Sequence, residues 1–464
     1  MKNIFKAAAL LFCITLCSCE DRLDIKPKGK IILTTVEEYA ALLDTDTYLR
    51  YSNDVAWKTC FDAGMAEPLV TGGNTFTKIS HLGLLDEDRT IDYKSEQLYT
   101  KCYERIARYN IIIDDIMDAK GSEEGKARTR AEALVLRAYN HFILLNTFCK
   151  HYNAATAESD GGIMLRKRFS LEEMPAQASV AEAYRFIEND LNAAIPHLES
   201  KGMNVNHPGL AFAYAVLAKV HLFKQEFAKA ETAAKESLKH NSFIFDWVAW
   251  DNGPKPAPEI DYSCEENLYF GYGMNSQMPN GFSIGPRLVA KYTAGDLRKD
   301  RFFWDANPAL LPGCNSFRPY AELVNGANVS RSIKFNIGGM KVSEVMLMLA
   351  ECYARSGKVT EAMGLVNDLR KKRVLPASYA DLTASNKEEA FQHVMDERSR
   401  ELVLTPNNFY DIRRLEVEGI HQSVERVISN GDKYVVKSDA HIFVIPFPQD
   451  AIIRNNTLTQ NVVR

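Results

Sequence analysis

AFAYAVLAKVHLFKQEFAKAETAAKESLKHN, residues 211–241, decides the fold. Tyr214, Leu217, Ala218 and His221 recur at helical spacing, a turn follows near Gln225, and Phe227, Ala230, Ala234 and Leu238 form a second stripe. This is the period of an amphipathic helix, read twice. Ala218 and Ala230 are small enough for two antiparallel helices to approach closely. Two packed helices in about 34 residues is the tetratricopeptide pattern. His221 falls on the first stripe, so packing is its expected role. VMLMLAECYARSGKVTEAMGLVNDLRKKR, 345–373, repeats the pattern. Met346, Leu349, Ala350 and Tyr353 fill one helix, Gly357 supplies the turn, and Ala362, Val366 and Leu369 fill the other. The expected fold is mainly α, with tetratricopeptide-like helix pairs forming a right-handed superhelical scaffold.

Further helices are expected outward from these units, at 93–119, 126–150, 179–199 and 386–404. AEALVLRAYNHFILLNTF, 131–148, reads as a first repeat helix whose partner, 180–198, follows a long insertion. Segments rich in Gly, Pro, Asn and aromatics interrupt the helices at 45–90, 151–178, 243–340 and 428–464. Insertions of this size carry function or a small structure of their own.

The 464 residues hold 56 Lys and Arg against 60 Asp and Glu. This near balance, with no basic block, argues against a nucleic-acid partner. The chain is long enough to bury a large core. It begins with Lys2 and Lys6, then an apolar run, 7–17, too short to span a bilayer. Leu16, Cys17 and Ser18 precede Cys19, which is the pattern of a bacterial lipoprotein signal. The expected organisation is a signal peptide over 1–18, a tether lipidated at Cys19 over 19–30, and a domain over 31–464. The alternative is an ordinary secreted protein cut at a similar point. Without a second long apolar run, Cys19 would be the only membrane attachment. Six cysteines follow it, far apart, so a zinc site is not expected. Their pairing stays open, with burial as free thiols expected for Cys102, Cys149 and Cys352.

Common catalytic signatures are missing: no GxSxG, HExxH, P-loop or strand-borne GxGxxG. The strongest carboxylate pair is Glu397 and Glu401 in DERSRELVL, 396–404. A glycosidase needs two carboxylates about 5–10 Å apart. Arg398 and Arg400 are interleaved, and Arg413 and Arg414 follow, which favours ion pairs that hold helices together. No enzyme activity and no cofactor are expected, and no Asp-rich loop supports a calcium ion. Binding chemistry lies in the loops, where flat rings are mixed with Asn, Asp and Arg. Sugars present apolar C–H faces and polar rims that such surfaces match. The expected ligand contacts are Trp57, Asn74, Phe76, Trp250, Tyr272 and Tyr320 as exposed groups, with Asp62 or Arg287 as polar partners.

Several motifs, in order, resemble the SusD/RagB family of Bacteroidetes outer-membrane lipoproteins across nearly the whole chain. CEDRLDIKPKG resembles the family's start. YERIARYNIIIDDI, 103–116, carries its Asn at Asn110, and 131–148 carries Glu132, Arg137 and Ala138. SVAEAYRFIENDLNAAIPHL supplies Tyr184, Ile187, Asp190, Leu191 and Ala194. Glu351, Asn367 and Arg370 match a further motif, DERSREL matches ER-x-x-E, and IPFPQDAIIRNNTLTQN, 445–461, matches its close. One departure stands between ER-x-x-E and Asp411, where Pro406, Asn407 and Asn408 replace the usual Glu-Gly and Arg. The resemblance implies a non-enzymatic surface protein that captures nutrient, usually an oligosaccharide and sometimes a peptide. It would close as a lid over a SusC-like TonB-dependent β-barrel transporter. The repeat side would face the barrel and the insertions the ligand. A repeat scaffold that binds only protein is the reading from another class.

Overall fold

Side-chain caps mark where the scaffold helices begin in the computed structural model of the chain. Glu96 accepts the Leu98 amide at the start of α1 (Gln97–Asp115), and Ser122 accepts the Gly125 amide ahead of α2 (Glu123–Phe148). Ser179 and Glu182 form a reciprocal capping box on α3 (Val180–Ala194). Each cap satisfies an amide that the first helical turn leaves without a partner. The scaffold continues with α4 (Leu210–Phe223), α5 (Phe227–His240), α6 (Val342–Arg355) and α7 (Val359–Lys371). It ends with α8 (Lys387–Glu401), capped by Asn386, and α9 (Asn407–Val417). The structure describes residues 33–44, 63–65, 87–94, 96–252, 264–274, 282–284, 286–304, 315–317, 334–336, 338–403, 405–427 and 433–464, some strand residues by backbone alone. The expected signal peptide and tether therefore lie outside the described residues.

The two predicted repeats are α4 with α5 and α6 with α7. Their turns share one geometry. Gln225 has φ 61° and Gly357 φ 78°. Around the first turn the amides of Lys224 and Glu226 reach the carbonyls of Val220 and His221; around the second, those of Ser356 and Lys358 reach Cys352 and Tyr353. Ala218, Ala230, Ala350 and Ala362 are buried where the helices meet. α5 packs on α6, so the repeats stack despite the insertion between them. α1, α2 and α3 pack in succession, as expected for 131–148 and its delayed partner. From Ala131 to Phe148 every residue of α2 is buried. A helix covered on all sides is the centre of a core, and its weak amphipathicity follows. α9 was not expected as a helix; it follows Pro406, whose φ of −68° suits a helix start. Cys102, Cys149 and Cys352 are buried and outside any disulfide, as expected, and so is Cys264. Cys60 and Cys314 lie outside the described residues.

The strands are short: β1 (Ala63–Met65), β2 (Gly161–Met164), β3 (Gln177–Ser179), β4 (Asn267–Tyr269), β5 (Tyr272–Met274), β6 (Phe282–Ile284), β7 (Phe303–Trp304), β8 (Asn315–Phe317), β9 (Lys334–Asn336), β10 (Met340–Lys341), β11 (Ser423–Val427) and β12 (Lys433–Lys437). β1, β6, β8 and β7 form one antiparallel sheet in that order, and the others pair as β2–β3, β4–β10, β5–β9 and β11–β12. Among the described residues no helix is long and apolar enough to cross a membrane.

Candidate functional site

The carboxylate pair of α8 is part of a buried ionic network. Glu397 Oε1 accepts Arg298 Nη1 at 2.7 Å, and its Oε2 accepts Arg400 Nη2 at 2.6 Å. Glu401 accepts Arg298 at 3.0 Å and Arg373 at 2.9 and 3.0 Å. Arg373 also reaches Glu266 at 3.3 Å, and Arg298 forks onto Asp296 at 2.8 and 3.0 Å. Burial alone would raise the Glu397 carboxyl, but Arg298 and Arg400 hold it below its ordinary value. Arg373 and Lys341 hold Glu401 lower still against the same burial. A general acid needs a raised pKa and an approach for substrate. These carboxylates have guanidinium partners instead and hold α8 to Arg298, just before β7, to Arg373, just after α7, and through Arg373 to Glu266, just before β4.

The other family motif residues behave alike. Arg137 donates twice to Asp190, at 2.7 and 2.8 Å, and once each to Asn110 Oδ1 and the Lys167 carbonyl at 2.8 Å. That contact ties α1, α2 and α3 together. Arg414 is bidentate on Glu351 at 2.6 and 2.7 Å, and Arg398 is bidentate on Asp411 at 3.0 Å. Burial pushes the Asp411 carboxyl up, yet Arg398 and Arg414 bring it down to about 2. At Asp190 burial outweighs Arg137, and the carboxyl is raised. The departure from the family pattern is also used. Asn407 accepts Lys219 Nζ at 2.9 Å and donates to Glu344, joining a buried Lys219–Glu344 pair of 2.7 Å.

The expected ligand loops are brought together by the four-stranded sheet. β1 pairs with β6, Ala63 opposite Ile284 and Met65 opposite Phe282. β6 pairs with β8 through Ser283 and Ser316, and β8 with β7 through Phe317 and Phe303. The sheet thus joins the 45–90 insertion to the 243–340 insertion. Asp62 precedes β1, and Tyr320 follows β8 within three residues. Trp57, Asp62, Asn74, Phe76 and Tyr320 themselves lie outside the described residues. Tyr272 opens β5, with its backbone opposite Asn336. Arg287 is exposed and donates to the Ser423 carbonyl at 3.0 Å, linking the sheet region to the β11 hairpin. Trp250 corrects an expectation of exposure. It is only 8 % exposed and packs edge-on against Trp247 beside Leu297.

Two other places gather polar side chains. A polar cleft of about 610 Å³ lies among Lys150, Asp160, Gln177, Glu182, Gln460 and Asn461. Its side chains bond one another and nearby backbone: Lys150 to Asp160 at 2.7 Å, Gln177 to the Gly162 carbonyl, Gln460 to Phe447. Glu188, His221 and Glu226 bring donor atoms within 4.8 Å of one another. Lys224 Nζ lies 2.5 Å from Glu188 and 3.2 Å from Glu226, so the chain supplies its own cation there. His221, expected to pack, is half-buried and bonds Glu226 at 2.7 Å.

Residues 35–222 match the family described as "Starch-binding associating with outer membrane", and residues 324–463 match the SusD family. The chain belongs to the SusD/RagB family. Among SusD-like relatives, SusD-like protein P2 of Formosa agariphila is 21% identical, with 98% of this chain and 99% of that one covered. SusD-like protein P38 of the same organism is 22% identical, over 71% and 74%. A SusD superfamily structure from Bacteroides vulgatus superposes with TM-score 0.71 at 17% identity, covering 92% and 99% of the two chains. A SusD-like carbohydrate binding protein from the same species gives 0.68 at 15%, covering 92% and 98%. These likenesses support the fold. The two SusD/RagB matches leave out 223–323, which holds most of the larger ring-rich insertion. Sequence reading passed over Trp304, which β7 places in the sheet opposite Ser316. Its signal was simple: a tryptophan in a loop-rich stretch of a chain with only four.

Proposed function

We propose that this chain is a lipoprotein of the outer membrane's external face, anchored at Cys19, that captures an oligosaccharide and delivers it to a SusC-like TonB-dependent transporter. The observation that carries the capture role is the pairing of β1 with β6. Without it, two ring-rich insertions far apart in sequence would have no reason to form one surface. Trp57, Asp62, Asn74, Phe76, Tyr272 and Tyr320 are the ligand contacts in this reading, with Trp304 added from the sheet. Flat rings meet sugar C–H faces, and the Asn and Asp side chains meet hydroxyls. The family's starch-binding, outer-membrane description supports both the ligand class and the location. The paired carboxylates of α8 are consistent with binding without turnover.

The test is a titration of the soluble chain, residues 20–464, against plant, host-mucin and microbial glycans and a mixed peptide pool. Saturable binding to one glycan class is expected. Peptide binding alone would replace the sugar with a peptide in the same lid role. If both panels stay silent while the repeat surface captures protein, the scaffold reading takes over.

A further inference from the structure

Leu171 is 85 % exposed, Met174 52 % and Phe169 44 %. These large apolar side chains sit on one loop, RKRFSLEEMPA, between β2 and β3. The loop is held in place. Tyr103 Oη donates to the Met164 carbonyl at 2.9 Å, Asn110 Nδ2 to the Arg166 carbonyl at 3.1 Å, and the Phe169 amide to Asp114 at 2.9 Å. These bonds carry the segment along α1 to its last turn. Arg166 then closes the loop by donating to the Glu173 carbonyl at 2.6 Å, and Arg168 pairs with Glu173 at 2.9 Å. Just beyond α1, Met117 is also exposed.

The same corner holds residues 33–36, the first described residues. The Lys120 amide donates to the Thr34 carbonyl at 2.7 Å, and the Val36 amide to the Lys120 carbonyl at 3.0 Å. The stretch from Cys19 to Leu33 reaches at most about 50 Å when extended. Scattered exposed apolar residues are ordinary, but a group of them at the tethered corner has a specific surface within reach. Asp114, Asp115, Asp118, Glu172 and Glu173 face Lys120, Arg166, Lys167 and Arg168 there, so the corner carries no excess of positive charge. Attraction to acidic headgroups is therefore not the driving force. Apolar insertion is, and the anchor makes it effectively intramolecular.

We propose that loop 166–176, with Met117, inserts into the surface of the lipid bilayer and sets the orientation of the anchored domain. This rests on the lipid-anchor reading. The test is hydrogen exchange on the lipidated protein in phosphatidylcholine and phosphatidylethanolamine vesicles, against the mature chain without lipid. About tenfold slower exchange over 166–176 is expected on vesicles, persisting in high salt. The triple substitution Phe169→Ser, Leu171→Ser, Met174→Ser should abolish the slowing while the protein still floats with the vesicles. Leu171→Asp alone, at a side chain too exposed to affect folding, should weaken it. A chain that fails to float overturns the anchor reading, and this proposal with it. A chain that floats with unchanged exchange overturns this proposal alone. Slowing that needs added outer-membrane protein, and is missing on lipid, assigns the loop to a protein partner and overturns it too.

Discussion

Two regions of this chain use polar residues in opposite ways. In the α6–α9 part, four carboxylates are buried and ion-paired: Glu351, Glu397, Glu401 and Asp411 each face at least one guanidinium within about 3 Å. At the sheet of the 243–340 insertion Arg287 is instead exposed and bonds the Ser423 carbonyl, although Asp296 and Arg298 of the same insertion join the buried network. Buried pairs of this kind lose their solvation and regain it only through good geometry, so they specify one arrangement of helices. The lesson is that the family's most recognisable motifs are structural, and that the proposed reading leaves ligand chemistry to the least recognisable stretch.

Removing one member of a buried pair tests the first half most severely. Glu401→Ala leaves Arg298 and Arg373 short of a partner and should lower stability by about 3–5 kcal/mol in denaturant unfolding. An unchanged midpoint would mean that the network does not hold α8. Acid should act on the same residues together. The carboxyls of Asp411, Glu351, Glu397 and Glu401 lie lower in the folded chain than in the unfolded one. The unfolded chain then binds more protons, so this stabilisation is complete above the ordinary carboxylate range of about 4. It should fade as pH falls toward about 2, the value reached by Asp411. Asp190, whose carboxyl is raised, does not share in it. A pH titration of unfolding that stays flat across this window would break the contrast.

Two tryptophans sharpen the comparison. Trp250→Ala should cost about 3 kcal/mol of stability, because the ring is buried beside Trp247 and Leu297. Trp57→Ala should leave unfolding unchanged and weaken glycan binding about tenfold, the loss of one ring contact. Calorimetric titration and melting of both variants would read the pair, and swapped results would invert the assignment. The smallest effect lies in the repeat turns. Gln225 holds the positive φ that Gly357 adopts freely. Gln225→Gly should gain about 0.5–1 kcal/mol and Gly357→Ala should lose about 1 kcal/mol, both measured by thermal unfolding.

Much of the scaffold was legible in advance. The stripes at 211–241 and 345–373, the delayed pairing of 131–148 with 180–198 and the ion-paired character of Glu397 and Glu401 all followed from local spacing. α9 was missed because Pro406 and two asparagines read as loop, although a proline can start a helix as well as end one. The sequence neighbours of Trp250, Asp251 and Asn252, are polar and point to an exposed ring. Its packing partner Leu297 comes from a distant segment, and composition carries no trace of that.

By itself, the sequence determined the helix pairs, their turns and the order of the motifs that mark the family, because helical periodicity is written in neighbours three and four residues apart. Only the tertiary structure decided which charges meet and which rings are covered. Arg298 lies 99 residues from Glu397, and Arg373 107 residues from Glu266. β1 meets β6 across about twice that gulf, with Ala63 opposite Ile284. Pairings at that range depend on how whole helices stack, and that outcome belongs to no local stretch of the chain.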